Sequence, residues 1–544
     1  MTGSSPPSSK RTKCCGPSGA RWPDAARRTG RARENGDTLL SENDNIFDLL
    51  VIGGGVNGAG IARDASGRGL SVLLCEKGDL AEATSSRSGK LVHGGLRYLE
   101  YYEFRLVREA LIEREVLMAS APHIIWPMRF VLPHSPQDRP AWLVRLGLFL
   151  YDHLGGRKKL PGTRTLDLRT APEGAPVRDA FTRAFEYSDC WVDDARLVVL
   201  NAMDARDHGA EVCVRTECVS ARREGNLWHA TLKDTRTGEE RRVRARGLVN
   251  AAGPWVNSVI GTVAGGNSQR HVRMVKGSHI VVPKFWQGEH AYLIQNTDRR
   301  VIFVNPYEGD KALIGTTDIA YEGKPEDVKA DESEIEYLLK AIGRYFKHTV
   351  RREDVLHTFS GVRPLYDDDN ENPSAVTRDY IFDVDGRDGE APLLSVFGGK
   401  ITTFRRLSEH ALEKLQPFYP KMKKAWTREG HLPGGDMADG DFEQFLADCR
   451  RRYPFLPARL AKHYARLYGT RIHELLRGVA SLDALGERFC ETFYACEAEF
   501  VMRTEWASTA EDVVERRTKH ARHMNADEME RFRAWFEQRA VEAA

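Results

Sequence analysis

Short apolar runs that fit buried β-strands occur at four places along the chain. Ile46–Ile52 is β-rich and apolar, and Ser71–Cys75 is a second such run after a helical stretch that reaches Gly69. Gly247–Gly253 and Leu393–Thr403 are further runs, and each contains or ends in small residues. Continuous apolar runs joined by helices are typical of a parallel sheet whose two faces are covered. The pattern therefore predicts an α/β domain that is assembled from separated segments.

The turn after the first run has the glycine spacing of a dinucleotide site. Gly53, Gly55 and Gly58 follow the strand as G-x-G-x-x-G, and a helical pattern comes next. Gly53 allows a tight turn, Gly55 lets the backbone approach a pyrophosphate, and Gly58 lets the helix pack closely on the strand. Glu76 closes the second strand, where it can accept hydrogen bonds from ribose hydroxyls. We therefore predict dinucleotide binding, although the motif alone does not distinguish FAD from NAD.

Two later segments favour FAD. Gly247–Gly253 leads into Gly253-Pro254-Trp255, a turn that could pack against the same cofactor. Leu393–Thr403 is a strand, a glycine pair and a helix start, whose amide groups could face a flavin carbonyl where negative charge develops on reduction. An NAD module is usually one contiguous block, whereas three separated strand–glycine–helix segments imply a discontinuous domain.

Composition and charge limit the classes of partner. The 544 residues are 41% hydrophobic and 29% charged, which is a soluble globular balance, and the net charge of +2 gives no general attraction to nucleic acid. No apolar run reaches 18 residues, so we expect no membrane-spanning helix, while surface attachment stays open. The nine cysteines show no repeated C-x-x-C spacing, and we expect reduced thiols, a cytoplasmic setting and no metal site.

Residues 1–45 form a compositionally distinct segment. They are rich in Ser, Gly, Pro and basic residues and have no apolar periodicity. This composition is typical of a disordered tail, and an organellar targeting peptide is the alternative. We favour the disordered tail.

Six ordered segments resemble one known family. They are Thr84–Glu100, Phe185–Arg196, Lys276–His279, Ser360–Pro364, Thr377–Tyr380 and Phe397–Lys400. Together they are similar to the FAD-dependent glycerol-3-phosphate dehydrogenases, and the resemblance covers about residues 46–540. The bacterial aerobic form is the best match, because the C-terminal part has no calcium-binding D-x-D-x-D-G loop. Gly89 is a departure, since the family usually has a residue with a side chain there.

The resemblance implies oxidation of sn-glycerol 3-phosphate to dihydroxyacetone phosphate, with hydride transfer to flavin N5. Electrons would pass to membrane ubiquinone in the respiratory chain. Substrate binding would involve cationic and aromatic groups, because guanidinium groups bind phosphate dianions well. The implied catalytic residues are His279 as the base, with Arg363 and Lys400. The implied substrate-binding residues are Arg97, Tyr98, His279, Arg363, Arg378 and Lys400.

The resemblance also implies the residues around FAD. Lys400 belongs to this set as well, since it follows the strand in Leu393–Thr403 and could reach both flavin and substrate. The full set is Gly53, Gly55, Gly58, Glu76, Thr84, Ser85, Ser86, Lys90, His93, Gly94, Ala252, Gly253, Gly398, Lys400 and Thr402.

The expected fold class is α/β, with interleaved domains. A discontinuous Rossmann-like FAD-binding domain would comprise residues 46–125, 195–262 and 355–415. A β-sheet substrate or cap domain would comprise 126–194 and 263–354. Residues 425–544, where charge pairs recur at helical spacing, would form a C-terminal helical domain.

Electron transfer to quinone would require contact with a bilayer, so we expect a peripheral, monotopic protein on the cytoplasmic membrane and a homodimer. Trp142–Tyr151 and Lys400–Leu415 combine apolar and basic residues, as interfacial helices do. Each could equally be an amphipathic helix packed on the protein core. Arg450–Phe455 is interpreted as a solvated surface.

Three alternative functions stay open. The first is a glycerol-3-phosphate oxidase that reoxidises the flavin with O₂, and the second is an amino-acid oxidase of similar architecture. The third is a flavin-bearing interaction module without turnover.

Overall fold

The computed structural model describes residues 46–135, 139–157, 159–266, 270–298, 300–366, 379–387 and 389–543. The predicted tail and the predicted substrate residue Arg378 lie outside the described residues. The strands, in chain order, are β1 (Ile46–Phe47), β2 (Leu49–Ile52), β3 (Val72–Cys75), β4 (Leu91–Val92), β5 (Ile125–His134), β6 (Arg164–Asp167), β7 (Arg183–Val192), β8 (Glu211–Cys213), β9 (Thr216–Glu224), β10 (Leu227–Asp234), β11 (Glu240–Ala245), β12 (Leu248–Asn250), β13 (Val272–Pro283), β14 (Ala291–Gln295), β15 (Val301–Tyr307), β16 (Lys311–Gly315), β17 (Ile319–Ala320), β18 (His357–Tyr366), β19 (Ile381–Asp385), β20 (Leu393–Phe397), β21 (Arg488–Cys490) and β22 (Phe493–Tyr494). The α-helices are α1 (Val56–Gly67), α2 (Phe104–Ser120), α3 (Ala141–Leu154), α4 (Asp194–Asp207), α5 (Val256–Ser258), α6 (Glu332–Tyr345), α7 (Phe404–Leu415), α8 (Phe442–Arg452), α9 (Ala458–Tyr468), α10 (Ile472–Leu475), α11 (Ala495–Thr504) and α12 (Ala526–Ala543).

The apolar runs form a six-stranded sheet in the order β19-β20-β12-β2-β3-β8. The pairs from β20 to β8 are parallel, and β19 is antiparallel to β20. Helices α1 and α7 cover one face, and the four-stranded sheet β1-β11-β10-β9 covers the other. Because both faces are covered, β2, β3 and β20 are buried along their whole length, as continuous apolar runs require.

A second, ten-stranded sheet lies beside it. Its main order is β17-β13-β16-β15-β14-β5-β7-β4, and β18 pairs with β13 while β6 pairs with β7. Strands β4 and β18 belong to segments that the sequence assigns to the cofactor domain, but they hydrogen-bond to the second sheet. These two strands therefore connect the sheets and bring residues of both to one place.

The C-terminal region folds around its own apolar core, to which α9, α11 and α12 contribute. It is fixed to the rest of the chain by buried ion pairs. Arg517 donates two hydrogen bonds to the Asp79 carboxylate at 2.6 and 2.7 Å. Arg196 and Glu505, both fully buried, form a second two-bond pair. This three-part architecture confirms the predicted fold class.

Helix α7 decides between the two interpretations of one candidate membrane segment. Its apolar residues Phe404, Leu407 and Leu412 are buried against the cofactor-side core. Arg405, which only the interfacial interpretation would place at a lipid surface, is buried and donates to Glu113 at 2.6 and 2.7 Å. The segment Lys400–Leu415 is thus a core amphipathic helix. Across the described part of the chain, the helices are too short or too polar to traverse a bilayer.

Candidate active site

The glycine turn has the geometry that its spacing predicts. Gly53 has a φ of +109°, and a Cβ there would lie 2.6 Å from the Ala251 carbonyl oxygen. A Cβ on Gly58 would lie 1.9 Å from the Gly53 carbonyl oxygen, so only glycine lets α1 approach the turn. At Gly55 an added Cβ would meet only the Ser85 hydroxyl, at 3.2 Å. The space over Gly55 at the start of α1 can therefore admit a pyrophosphate.

Glu76 is fixed at the end of β3 by two backbone groups. Its carboxylate accepts from the Gly54 N–H at 2.6 Å and from the Gly78 N–H at 2.8 Å. Burial raises the pKa of Glu76 above its usual value, and the two N–H donors oppose that rise. Each oxygen has a second lone pair for a ribose hydroxyl, so the arrangement fits a dinucleotide.

The two later glycine segments meet this turn. Strands β20, β12 and β2 are neighbours and parallel, so their carboxyl ends place Gly398, Ala252-Gly253 and the glycine turn along one edge. Asn57 links the segments by donating from Nδ2 to the Gly398 carbonyl at 3.1 Å. Its Oδ1 is buried without a partner in the described structure, and a bound cofactor could supply the missing donor. Sequence reasoning missed Asn57, although its position inside the glycine motif was a signal.

The loop from Thr84 to Lys90 joins the turn to the second sheet. The Ser85 hydroxyl accepts from the Val56 N–H at 3.0 Å, next to the first turn of α1. The Thr84 hydroxyl donates to the Val362 carbonyl of β18 at 2.6 Å. The two bonds thus link this loop to the start of α1 and to β18, and contact of Thr84 and Ser85 with the cofactor stays a prediction.

Lys90 forms a buried ion pair. It is buried, and its ammonium donates to the Asp194 carboxylate at 2.8 and 3.0 Å and to the Ser86 carbonyl at 3.1 Å. These bonds support the loop, and contact between Lys90 and the cofactor stays a prediction. Ser86 contributes its carbonyl to the same support. The Lys90–Asp194 ion pair was not predicted, because 104 residues separate its members.

His93 and Gly94 connect the loop after β4 to the turn after β20. The His93 N–H donates to the Thr402 hydroxyl at 3.2 Å, and Thr402 is buried. The Gly94 N–H donates to the Asp189 carboxylate at 3.4 Å. These bonds fix the backbone on which Lys400 and the neighbouring aromatic residues lie.

His279, the predicted base, lies on β13 and is 3% exposed. A Cβ on Gly315 would lie 2.2 Å from its ring, so that glycine makes room for the imidazole. Its Nδ1 is buried and has no hydrogen-bond partner in the described structure. Burial, together with the positive charges of Arg363 and Lys90, lowers the pKa of His279 to about 3. An unperturbed histidine has a pKa of about 6.5, whereas burial holds this ring uncharged at neutral pH.

Arg363 lies on the same face of the β13/β18 pair as His279. The register pairs Val275 with Arg363 and His279 with Phe359, and paired residues of neighbouring strands share a face. The guanidinium donates to the Thr316 hydroxyl at 3.0 Å and to Asp318.

Glycine makes this arrangement of the guanidinium possible. A Cβ on Gly277 would lie 2.5 Å from Arg363 Nη2, so the guanidinium occupies the space that the glycine leaves. Asp318 and Gly277 were missed by sequence reasoning. A guanidinium and an uncharged imidazole on one face suit an anion next to a proton acceptor.

Lys400 and Tyr98 are brought together, as the resemblance implied. The Lys400 ammonium lies 4.2 Å from the centre of the Tyr98 ring, a cation–π contact between the two cofactor-edge segments. Arg97, one residue earlier, donates to the Tyr101 hydroxyl at 3.3 Å. Its pairing with substrate stays a prediction.

Comparison with known proteins agrees with this geometry. A family model described as FAD dependent oxidoreductase matches residues 48–405, and one described as the C-terminal domain of alpha-glycerophosphate oxidase matches residues 425–532.

Two characterised relatives and one solved structure cover almost the whole chain. The D-erythritol 1-phosphate dehydrogenase of Brucella abortus is 64% identical over 490 residues, which are 90% of this chain and 97% of that protein. The aerobic glycerol-3-phosphate dehydrogenase of Escherichia coli is 52% identical over 488 residues, 90% of this chain and 97% of that protein. The glycerol-3-phosphate dehydrogenase of Bacillus halodurans, solved with FAD, is 25% identical with a TM-score of 0.70, over 93% of this chain and 96% of that one. The predicted cofactor is thereby confirmed, and the chain belongs to the FAD-dependent oxidoreductase family.

Proposed function

We propose that the protein oxidises a secondary alcohol of a small polyol phosphate. The observation that carries the proposal is that the uncharged, buried His279 imidazole and the Arg363 guanidinium lie on one face of β13 and β18. His279 would accept the hydroxyl proton, and Arg363 would bind the phosphate through paired N–H donors. FAD, when bound, supplies the acceptor for the hydride.

Glycerol 3-phosphate is the first candidate substrate, as the motif resemblance implies. D-erythritol 1-phosphate is the second, and it is favoured by the 64% identical relative and by one feature of the site. A Cβ on Gly89 would lie 3.6 Å from His279 Nε2, so the absence of a side chain leaves space beside the proposed base. That space suits a polyol longer by one carbon.

Steady-state assays with an artificial electron acceptor test this proposal. Turnover with glycerol 3-phosphate, D-erythritol 1-phosphate or both supports it, and the ratio of the two kcat/KM values identifies the preferred substrate. Turnover with glycine or D-alanine alone would instead indicate an amino-acid oxidase. Turnover with none of the four compounds would contradict the proposal.

Quinone is the proposed physiological acceptor, and helix α3 supports contact with a membrane. Its inner face buries Leu148 and Tyr151, whereas Trp142 is 69% exposed and Phe149 is 54% exposed. Arg145 lies on the same exposed helix. Exposed aromatic side chains next to a cation suit the interface of an anionic bilayer.

Sedimentation with vesicles of phosphatidylglycerol and phosphatidylethanolamine tests the membrane surface. The unmodified protein should pellet with the vesicles, and the double variant Trp142→Ser, Phe149→Ser should stay in the supernatant. Leu356→Ser, at another exposed apolar residue, is the matched control and should pellet. Pelleting of the double variant would show that α3 is not the membrane contact.

Two acceptor assays separate the dehydrogenase from the oxidase. Reduction of a soluble ubiquinone analogue with little peroxide supports quinone as the acceptor, and rapid peroxide release without quinone reduction would favour O₂. The expected homodimer stays a prediction, which sedimentation equilibrium would test.

A further inference from the structure

Three potential metal ligands meet in the core of the C-terminal region, outside the flavin site. They are His463 on α9, Glu497 on α11 and His520, which begins a short 3₁₀ helix. One ligand atom from each lies within 4.8 Å of the others. None of the three contributes to the proposed oxidation.

Two atoms of this cluster are buried without a partner. Glu497 and His520 are both fully buried. Glu497 Oε1 is bonded to His463 Nε2 at 2.8 Å and accepts from the Tyr468 hydroxyl at 2.8 Å, whereas Oε2 has no hydrogen bond. His520 Nδ1 also has none. An unsatisfied buried polar atom destabilises a protein, so two of them beside a third potential ligand are consistent with a ligand that binds between them.

We propose that His463, Glu497 and His520 bind a divalent transition-metal ion, with Zn²⁺ as the best fit. Two imidazoles and one carboxylate are a ligand set that suits Zn²⁺, while Ca²⁺ and Mg²⁺ prefer oxygen ligands. Ligands of a tetrahedral zinc ion lie about 3.3 Å apart, so a spacing of up to 4.8 Å requires only small side-chain movements on binding. The fourth position would be filled by water.

The surroundings orient the ligands as metal sites require. His520 Nε2 is 3.2 Å from the Thr492 hydroxyl, and donation from Nε2 leaves a lone pair on Nδ1. The Tyr468 hydroxyl holds Glu497 in place. A bound ion would then link α9, α11 and the His520 turn and stabilise the C-terminal region.

A hydrogen-bonded cluster without metal is the competing explanation. The bond between His463 and Glu497 Oε1 needs no metal, and one buried water could serve Glu497 Oε2 and His520 Nδ1. Sequence analysis predicted no metal site, because that prediction considered only the spacing of the cysteines. The three ligands stand on separate elements, so no short motif marks them.

Metal content and stability of the full-length, FAD-loaded protein test the proposal. After dialysis against a chelator, the protein should take up one tightly held Zn²⁺ per chain, and its thermal midpoint should rise. His520→Gln and His463→Gln should each weaken Zn²⁺ binding at least tenfold and abolish the rise. His229→Gln, at an exposed histidine 3.8 Å from Glu224, is the matched control and should behave like the unmodified protein.

Addition of Co²⁺ to the unmodified protein tests the proposal even if the variants do not fold. Co²⁺ added to the stripped, unmodified protein should give absorption bands between about 550 and 650 nm, at longer wavelength than the flavin bands. Added Zn²⁺ should then displace Co²⁺ and abolish these cobalt bands. Absence of these bands and of tight Zn²⁺ uptake would overturn the proposal and leave the water-filled cluster. Equal Zn²⁺ affinity in His520→Gln and the unmodified protein would also overturn it.

Discussion

The imidazole of His279 lies nearly parallel to the ring of Phe359, with ring centroids 4.9 Å apart and planes at 20°. The two residues are register partners on β13 and β18. Stacking fixes the orientation of the imidazole, and burial keeps it uncharged. The ring is thus oriented and uncharged before substrate arrives, and the negative charge of a bound phosphate would raise its pKa toward the operating pH, where a general base is most effective.

Replacing His279 with Gln should slow flavin reduction by about 10²–10⁴-fold, because the amide cannot accept the proton. Substrate affinity should change little. Rapid-reaction absorbance at the flavin band measures the rate, and Phe359→Leu, which keeps the imidazole but removes the stacking, should show a smaller loss. An unchanged rate in His279→Gln would mean that another group is the base.

Replacing Arg363 with Lys should lower kcat/KM by about tenfold or more, although the positive charge is kept. A charged hydrogen bond contributes about 1.5–3 kcal/mol, and Lys cannot present the paired donors of a guanidinium. Steady-state kinetics with the phosphorylated polyol and with the free polyol measure the effect. With the free polyol, the variant and the unmodified enzyme should have the same kcat/KM. If the variant is equally impaired with the free polyol, Arg363 does not bind the phosphate.

The low pKa of His279 also predicts how stability depends on pH. The folded-state pKa is about 3 and the unfolded value is about 6.5, so between these values the unfolded chain binds the extra proton. The stabilising contribution is complete above pH 6.5 and is lost as pH falls toward 3, by at most about 1.4 kcal/mol per pH unit. Thermal midpoints of the unmodified protein should therefore fall more steeply below pH 6.5 than those of His279→Gln. Parallel curves would contradict the buried, neutral state of His279.

Gly89 should influence the choice of substrate. In Gly89→Ser the new Cβ would lie 3.6 Å from His279 Nε2 and would narrow the space beside the base. We expect kcat/KM for D-erythritol 1-phosphate to fall about tenfold relative to that for glycerol 3-phosphate, since one carbon in a fitted pocket contributes about 1–3 kcal/mol. Equal losses for both substrates would show that Gly89 does not discriminate between them.

Asp194 should be important for folding, as the partner of buried Lys90. Asp194→Asn leaves the Lys90 charge buried without its counter-ion, and we expect a loss of about 3–5 kcal/mol in the free energy of unfolding. Denaturant titration of the FAD-loaded protein measures it. Asp167→Asn, in an exposed pair with Arg169, is the control and should change stability by less than about 1 kcal/mol.

Local patterns made the cofactor half of the fold predictable. The roles of Gly53, Gly58 and Glu76 follow from a turn and a strand end that are close in sequence, and the parallel sheet follows from continuous apolar runs. Backbone geometry of this kind is encoded within about thirty residues.

The properties that sequence analysis missed or left open depend on contacts between residues distant in sequence. The ion pair of Lys90 with Asp194 and the packing of α7 against α1 both depend on contacts that no local motif shows. The pKa of His279 is set by burial and by Arg363, neither of which a sequence motif expresses. Charge and apolar spacing report what a side chain can do, whereas tertiary packing decides which partner it meets.

Anaerobic mixing of the FAD-loaded protein with glycerol 3-phosphate or D-erythritol 1-phosphate tests the central claim most directly. The account predicts that the oxidised flavin band bleaches in a single turnover with at least one of these phosphates, and far more slowly with the unphosphorylated polyol. A flavin that stays oxidised with both phosphates, or that reduces equally fast without the phosphate group, would contradict it.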